Sequence, residues 1–106
     1  MNKSQLKTPC YIIQKEKLIH NLEILSYVKK QTGCKILLAQ KCFSMYSLYP
    51  LIGEYVDGCT ASGLFEAKLG REEMNKENHV FSPAYRQDEI EEIIDLCDEI
   101  VLNSFK

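Results

Sequence analysis

The sequence has no long apolar run, no basic stripe and no C-x-x-C pair, and each absence removes a class of protein. No stretch approaches the ~20 consecutive apolar residues of a membrane-spanning helix. Met1-Asn2-Lys3-Ser4-Gln5 leads into Thr8-Pro9 without the apolar segment of a signal peptide, so a cytoplasmic protein with no membrane association is expected. Thirteen Lys and Arg against fifteen Asp and Glu give a net charge of −2, which leaves no cationic excess to neutralise a nucleic-acid backbone. The five cysteines, Cys10, Cys34, Cys42, Cys59 and Cys97, are odd in number and far apart, suggesting neither a disulfide framework nor a zinc knuckle. With no linker or internal repeat, 106 residues amount to one domain at most, or part of one.

What is present alternates between strand and helix. Cys10-Tyr11-Ile12-Ile13 after Pro9 suits a short strand. Leu18, Leu22, Leu25 and Val28 recur at helical spacing until Gly33 supplies a stop. Ile36-Leu37-Leu38-Ala39 is apolar without alternation, as in a parallel strand covered on both faces, and Lys41 closes it. A helix is expected from Ser44 or Met45 to about Tyr55, then a strand or loop over Asp57–Ala61. Ser62 is an expected N-cap for a helix to Leu69 that Gly70 weakens or ends. His79-Val80-Phe81 reads as a strand, Gln87 or Asp88 begins a helix marked by Ile90, Ile93, Ile94 and Cys97, and Glu99–Leu102 is a further strand. Short βα connections imply right-handed crossovers and a parallel sheet. This pattern fits either a doubly wound sheet or the start of a (β/α)8 barrel, which needs about 250 residues.

Both architectures carry their functional side chains at the carboxyl ends of the strands, where Lys41 falls. Position alone makes a solvated lysine the more common outcome. Period-two alternation would put Leu37, Ala39 and Lys41 on one face and Leu38 and Gln40 on the other, with the small Ala39 leaving room for a flat ring beneath the amine. Inert packing outweighs a reactive thiol for Cys42. His20 and His79 lack partners at ligand spacing, so no metal site is expected. Glu72, Glu73, Lys76 and Glu77 read as solvated, as do Asp88, Glu89, Glu91, Glu92 and Asp95.

Leu38-Ala39-Gln40-Lys41-Cys42-Phe43-Ser44 resembles the A-x-K-C segment of the alanine-racemase-like (fold type III) pyridoxal-phosphate decarboxylases. Asp57–Ser62, Leu64–Leu69 and Val80-Phe81-Ser82-Pro83-Ala84-Tyr85 extend the resemblance in order and spacing, towards the carboxynorspermidine/carboxyspermidine branch. The resemblance implies an α/β fold, the N-terminal part of a (β/α)8 TIM barrel. It implies a pyridoxal 5'-phosphate cofactor attached to Lys41, with Ala39 against the cofactor ring and Ser62 in the next strand-end loop. The implied activity is decarboxylation of a polyamine-like carboxylate by a homodimer.

The same resemblance places the phosphate cradle, the acid on the pyridine nitrogen, the stacking partner and a C-terminal β-domain beyond Lys106. Residues 1–106 are thus expected to be a single partial domain, inactive alone. Relatives acting on ornithine have an acidic residue where this chain reads Cys59-Thr60. Gln40 replaces a more usual apolar residue, and should face the outer helix layer and need a hydrogen-bond partner there. Three other readings stay open: a non-catalytic pyridoxal-phosphate carrier, another fold type III decarboxylase acting on diaminopimelate or ornithine, and a small α/β interaction domain without cofactor.

Overall fold

The computed structural model describes residues 2–105. Four parallel strands, β1 (Leu37–Ala39), β2 (Gly58–Ala61), β3 (Glu77–Phe81) and β4 (Glu99–Val101), lie side by side in chain order. Leu37 pairs with Gly58, Thr60 with His79, and Phe81 with Val101. Helix α1 (Lys15–Thr32) precedes β1. The crossovers carry α2 (Tyr49–Gly53, entered through a 3-10 turn at Tyr46–Leu48), α3 (Leu64–Glu73) and α4 (Ile90–Leu96). A doubly wound sheet reverses its strand order at a switch point, and no reversal occurs among the described residues.

Unidirectional right-handed crossovers stack helices on one face of a sheet. The strands alternate accordingly: Cys59, Ala61, Asn78 and Val80 are buried, whereas Glu77, His79 and Phe81 point the other way. On the helix side Leu22, Tyr49, Ile52, Val56, Cys59 and Met74 form one core cluster, and Ala61, Leu64, Ala67, Val80 and Ile93 form a second. The opposite face is less covered: Phe81 and Val101 are 41% and 48% exposed.

The first helix follows its expected periodicity only over its first half. Leu22 is buried, Leu18 packs against the core, and Gly33 ends the helix in the left-handed region (φ 71°), donating its amide to Lys29 O at 2.8 Å. Lys29 and Lys30 in the last turn suit the negative end of the helix dipole. Leu25 and Val28 remain exposed.

At the amino ends of the strands one device occurs twice. Asp57 donates its amide to Ile36 O (2.9 Å) and accepts the Ile36 amide on Oδ2 (2.7 Å), while Lys29 pairs with Oδ1 (3.0 Å). Asp98 likewise donates to Asn78 O (2.8 Å), accepts the Asn78 amide (2.8 Å) and is held by Arg71 (2.9 Å). Each aspartate locks a neighbouring strand and is steadied by a cation from a helix.

Several expectations need correction. Cys10–Ile13 is irregular rather than a strand, because no strand among the described residues lies alongside to share its hydrogen bonds. The helix expected from Ser44 or Met45 is a 3-10 turn followed by five α-helical residues. Gly70 neither ends nor interrupts α3, which runs through it to Glu73. Helix α4 starts at Ile90 rather than Gln87 or Asp88, because the Asp88 carboxylate is engaged by Arg86 (3.0 and 2.7 Å) and caps nothing.

Candidate functional site

Lys41 follows β1 directly and sits on two overlapping turns. The Cys42 amide donates to Ala39 O (3.2 Å), and the Phe43 amide donates to Gln40 O (3.2 Å). The Gln40 amide donates to Thr60 O (3.2 Å), which carries the β1–β2 ladder one residue past the strand. The Lys41 backbone is thus tied on both sides while its side chain is exposed to solvent. Ala39 lies in β1, partly buried, paired with Thr60.

Gln40 faces the helices, as alternation requires, and is only 1% exposed. Its Nε2 donates to Glu66 O in α3 (2.9 Å), and its Oε1 accepts the Tyr49 hydroxyl (3.2 Å). The same hydroxyl lies 3.3 Å from Phe43 O. Cys59 Sγ, 3.5 Å from Gln40 Nε2, donates to Asn78 Oδ1 (3.4 Å), and Asn78 Nδ2 donates to Ala67 O (2.9 Å) and Leu96 O (3.0 Å). Every polar group of Gln40 and Asn78 is therefore occupied, which is the condition for burying them without a large desolvation cost. Burial raises Cys59 to about 11, so its thiol stays protonated.

Ser62 directly follows β2, at the same end of the sheet as Lys41. It is not the N-cap expected of it: Gly63 holds that position, and Glu66 reaches back to accept the Ser62 amide (2.9 Å). This carboxylate occupies the start of α3, so the helix terminus offers no vacant anion site. A shallow pocket of about 300 Å³ lies between this loop and the one after β3, lined by Ser62, Gly63, Phe65, Ser82, Tyr85 and Arg86 among others. Lys41 is not in its lining, and no hydrogen bond joins Lys41 to Ser62 among the described residues. The structure thus brings Lys41, Ala39 and Ser62 to one end of two adjacent strands without closing a site around them. An exposed amine two residues beyond the small Ala39 is chemically suited to attach a flat aldehyde cofactor.

Cys42 is exposed rather than packed, its thiol donating to Ala39 O (3.0 Å). The segment read as solvated is also engaged. Lys76 Nζ bonds Val56 O (2.7 Å) and Gly53 O, tying the start of β3 to the end of α2. Glu77, His79 and Glu99 converge on the sheet face away from the helices, His79 and Glu99 in register with Thr60 and Ala39, with their ligand atoms within 4.8 Å of one another. Lys35 already supplies a positive charge there, contacting both oxygens of Glu77 (3.0 and 2.8 Å), and His79 Nε2 lies 2.8 Å from Glu77. The Lys35 hydrogen bond, aided by His79, holds the Glu77 carboxyl below its usual range. Residues two apart on a strand share a face, which is the signal that could have joined Glu77 to His79; Glu99 arrives only through the register of β4.

No protein-family model matches the chain. The carboxynorspermidine/carboxyspermidine decarboxylase of Campylobacter jejuni is 47% identical over 100 residues, which make up 94% of this chain and 26% of that protein. The crystal structure of the carboxynorspermidine decarboxylase from Campylobacter jejuni complexed with norspermidine matches with a TM-score of 0.90, at 47% identity, over 93% of this chain and 27% of that one. In sequence and in fold, the chain is similar to a segment of these decarboxylases. The carboxynorspermidine/carboxyspermidine decarboxylase of Herminiimonas arsenicoxydans is 41% identical over 93% of this chain and 27% of its own length. The carboxyaminopropylagmatine decarboxylase of Synechocystis is 37% identical over 95% of this chain and 26% of its own. The chain spans about a quarter of the length of the curated relatives it matches. No helix among the described residues is long and apolar enough to cross a membrane.

Proposed function

We propose that this chain is the lysine-bearing part of a (β/α)8-barrel carboxy-lyase that decarboxylates a carboxylated polyamine with pyridoxal 5'-phosphate. The observation that carries the reading is Lys41 on its tied double turn at the carboxyl end of a parallel strand, in a chain 47% identical to a decarboxylase segment. The unreversed strand order favours a barrel over a doubly wound sheet. When bound, the cofactor supplies an electron sink for the charge left as carbon dioxide departs.

The chain's own residues have definite tasks in this reading. Lys41 Nζ would hold the cofactor covalently, and its free amine could carry a proton at Nζ. Ala39 keeps the face below the amine shallow enough for a planar ring. Ser62 presents a hydroxyl at the end of the adjoining strand. The phosphate-binding groups and the acid for the ring nitrogen come from a polypeptide of the relatives' length, of which residues 1–106 form a single partial barrel domain. We place that protein in the cytoplasm as a homodimer, in keeping with five free cysteines.

The substrate class joins carboxynorspermidine and carboxyspermidine with carboxyaminopropylagmatine, the compounds for which the relatives are named. The test uses the protein at the relatives' length: incubation with pyridoxal phosphate, borohydride reduction and peptide mapping, alongside carbon dioxide release from each compound. The expected result is a reduced adduct on Lys41, release from at least one compound, and loss of both in Lys41→Ala. An adduct on another lysine would overturn the assignment, and an adduct on Lys41 without release from any of the three would leave a cofactor carrier.

A further inference from the structure

We propose that Gln40 and Tyr49 are positioning residues for Lys41, with the buried Tyr49 hydroxyl clasping the residues on either side of the turn that presents the amine. The proposal rests on the functional reading above, and it concerns residues that touch neither substrate nor cofactor.

The geometry is specific. Lys41 and Cys42 stand between Gln40 and Phe43, and the Tyr49 hydroxyl reaches Gln40 Oε1 at 3.2 Å and Phe43 O at 3.3 Å. A hydroxyl has one proton, so the two acceptors share it, and both ends of the turn are referred to one fixed atom. Tyr49 is fully buried on α2 and does not move independently of the core around Ile52 and Val56. Burial raises its hydroxyl to about 12, so it remains a donor throughout the neutral range.

The Gln40 amide has one workable orientation. Glu66 O can only accept, so the NH2 end must face α3 and the oxygen must face Tyr49. Through Cys59 and Asn78 the same network reaches Ala67 O and Leu96 O, fastening the turn to α3 and α4. Stability alone does not call for such an arrangement, since apolar groups of the same shape could fill the space at similar free energy. What hydrogen bonds add over apolar packing is direction, and here it is directed at the residues flanking Lys41. A reacting amine displaced by about 1 Å can lose on the order of a hundredfold in rate.

The experiment uses the protein at the relatives' length, with Tyr49→Phe, Gln40→Met and, as a core control away from the turn, Val80→Ala. In Tyr49→Phe and Gln40→Met we expect the Lys41 adduct to persist, kcat to fall roughly ten- to a hundredfold, KM to change little, and the pH midpoint of the bound cofactor's absorption band to move. Hydrogen exchange at the Cys42 and Phe43 amides should quicken in the same variants, a readout that needs neither cofactor nor activity. Val80→Ala should lose stability but keep the parent kcat and band. Parental kcat and amide protection in Tyr49→Phe and Gln40→Met would overturn the proposal. So would an equal loss of kcat in Val80→Ala, or a failure of both network variants to fold while the control folds. A parent protein that traps no cofactor on Lys41 fails the functional reading instead, and amide exchange still decides whether the clasp exists.

Discussion

Gly70 passes so close to Cys59 that a Cβ added to the glycine would fall on the cysteine sulfur, and would lie 2.8 Å from Gln40 Nε2 and 3.0 Å from Asn78 Oδ1. The missing side chain lets α3 approach the sheet closely enough for Gln40 and Asn78 to reach its carbonyls. Gly70→Ala is therefore expected to destabilise by ~1–2 kcal/mol, the overpacking penalty exceeding the roughly 1 kcal/mol that alanine gains in a helix. Thermal unfolding checks this, and adding Cys59→Ala should recover part of the loss. Gly58→Ala should be worse, because its Cβ would strike the Glu77 backbone, which cannot swing aside.

Asp57 and Asp98 give the fold an acid-sensitive component. Each carboxyl is held below the ordinary value of 3.8, first by a backbone amide (Ile36 or Asn78) and then by a cation (Lys29 or Arg71). A lowered folded pKa stabilises above the unfolded value, and that contribution is lost as pH falls from about 3.8 through the folded values. Denaturant melts across this range should show stability declining with acid, and Asp57→Asn should flatten part of the decline. An unchanged slope in Asp57→Asn would contradict the assignment.

Arg71 joins three elements with one guanidinium: Nε donates to Leu96 O (3.0 Å), NH1 to Lys76 O (3.3 Å) and NH2 to Asp98 (2.9 Å). An ammonium cannot reproduce that planar fork. Arg71→Lys is expected to cost ~1–2 kcal/mol although the charge is kept, measured by chemical denaturation at neutral pH.

The 106-residue chain on its own is expected to self-associate and to hold pyridoxal phosphate weakly. Strands β1 and β4 have one unpaired edge each among the described residues, and Phe81, Val101 and Leu102 stand exposed beside them. Sedimentation velocity and cofactor titration check both statements. A monodisperse monomer that binds the cofactor tightly would contradict them.

Much of the architecture was legible because its signals are local. The Leu18–Leu22 spacing and Gly33 define α1 between neighbouring turns, and the apolar run Ile36–Ala39 marks a strand, although β1 is only partly buried rather than covered on both faces, because the helices stack on one side of the sheet. The burial of Gln40 and its need for a helix-layer partner followed from period-two alternation, and the structure supplies Glu66 and Tyr49. Cys10–Ile13 misled because strand composition produces a strand only beside a partner strand. Gly70 misled because a glycine near a helix end resembles a stop, whereas its use here is close approach to the sheet.

The sequence by itself determined the alternation of helix and strand and the place of Lys41 at a strand's carboxyl end, since both depend on periodicities spanning a few residues. Tertiary structure alone decided what surrounds that lysine. Gln40 meets Glu66 across 26 residues and Cys59 meets Asn78 across 19, and the Glu77, His79 and Glu99 cluster exists only because β3 and β4 pair in one register. Such meetings depend on how closely helices and strands pack, which no local pattern encodes.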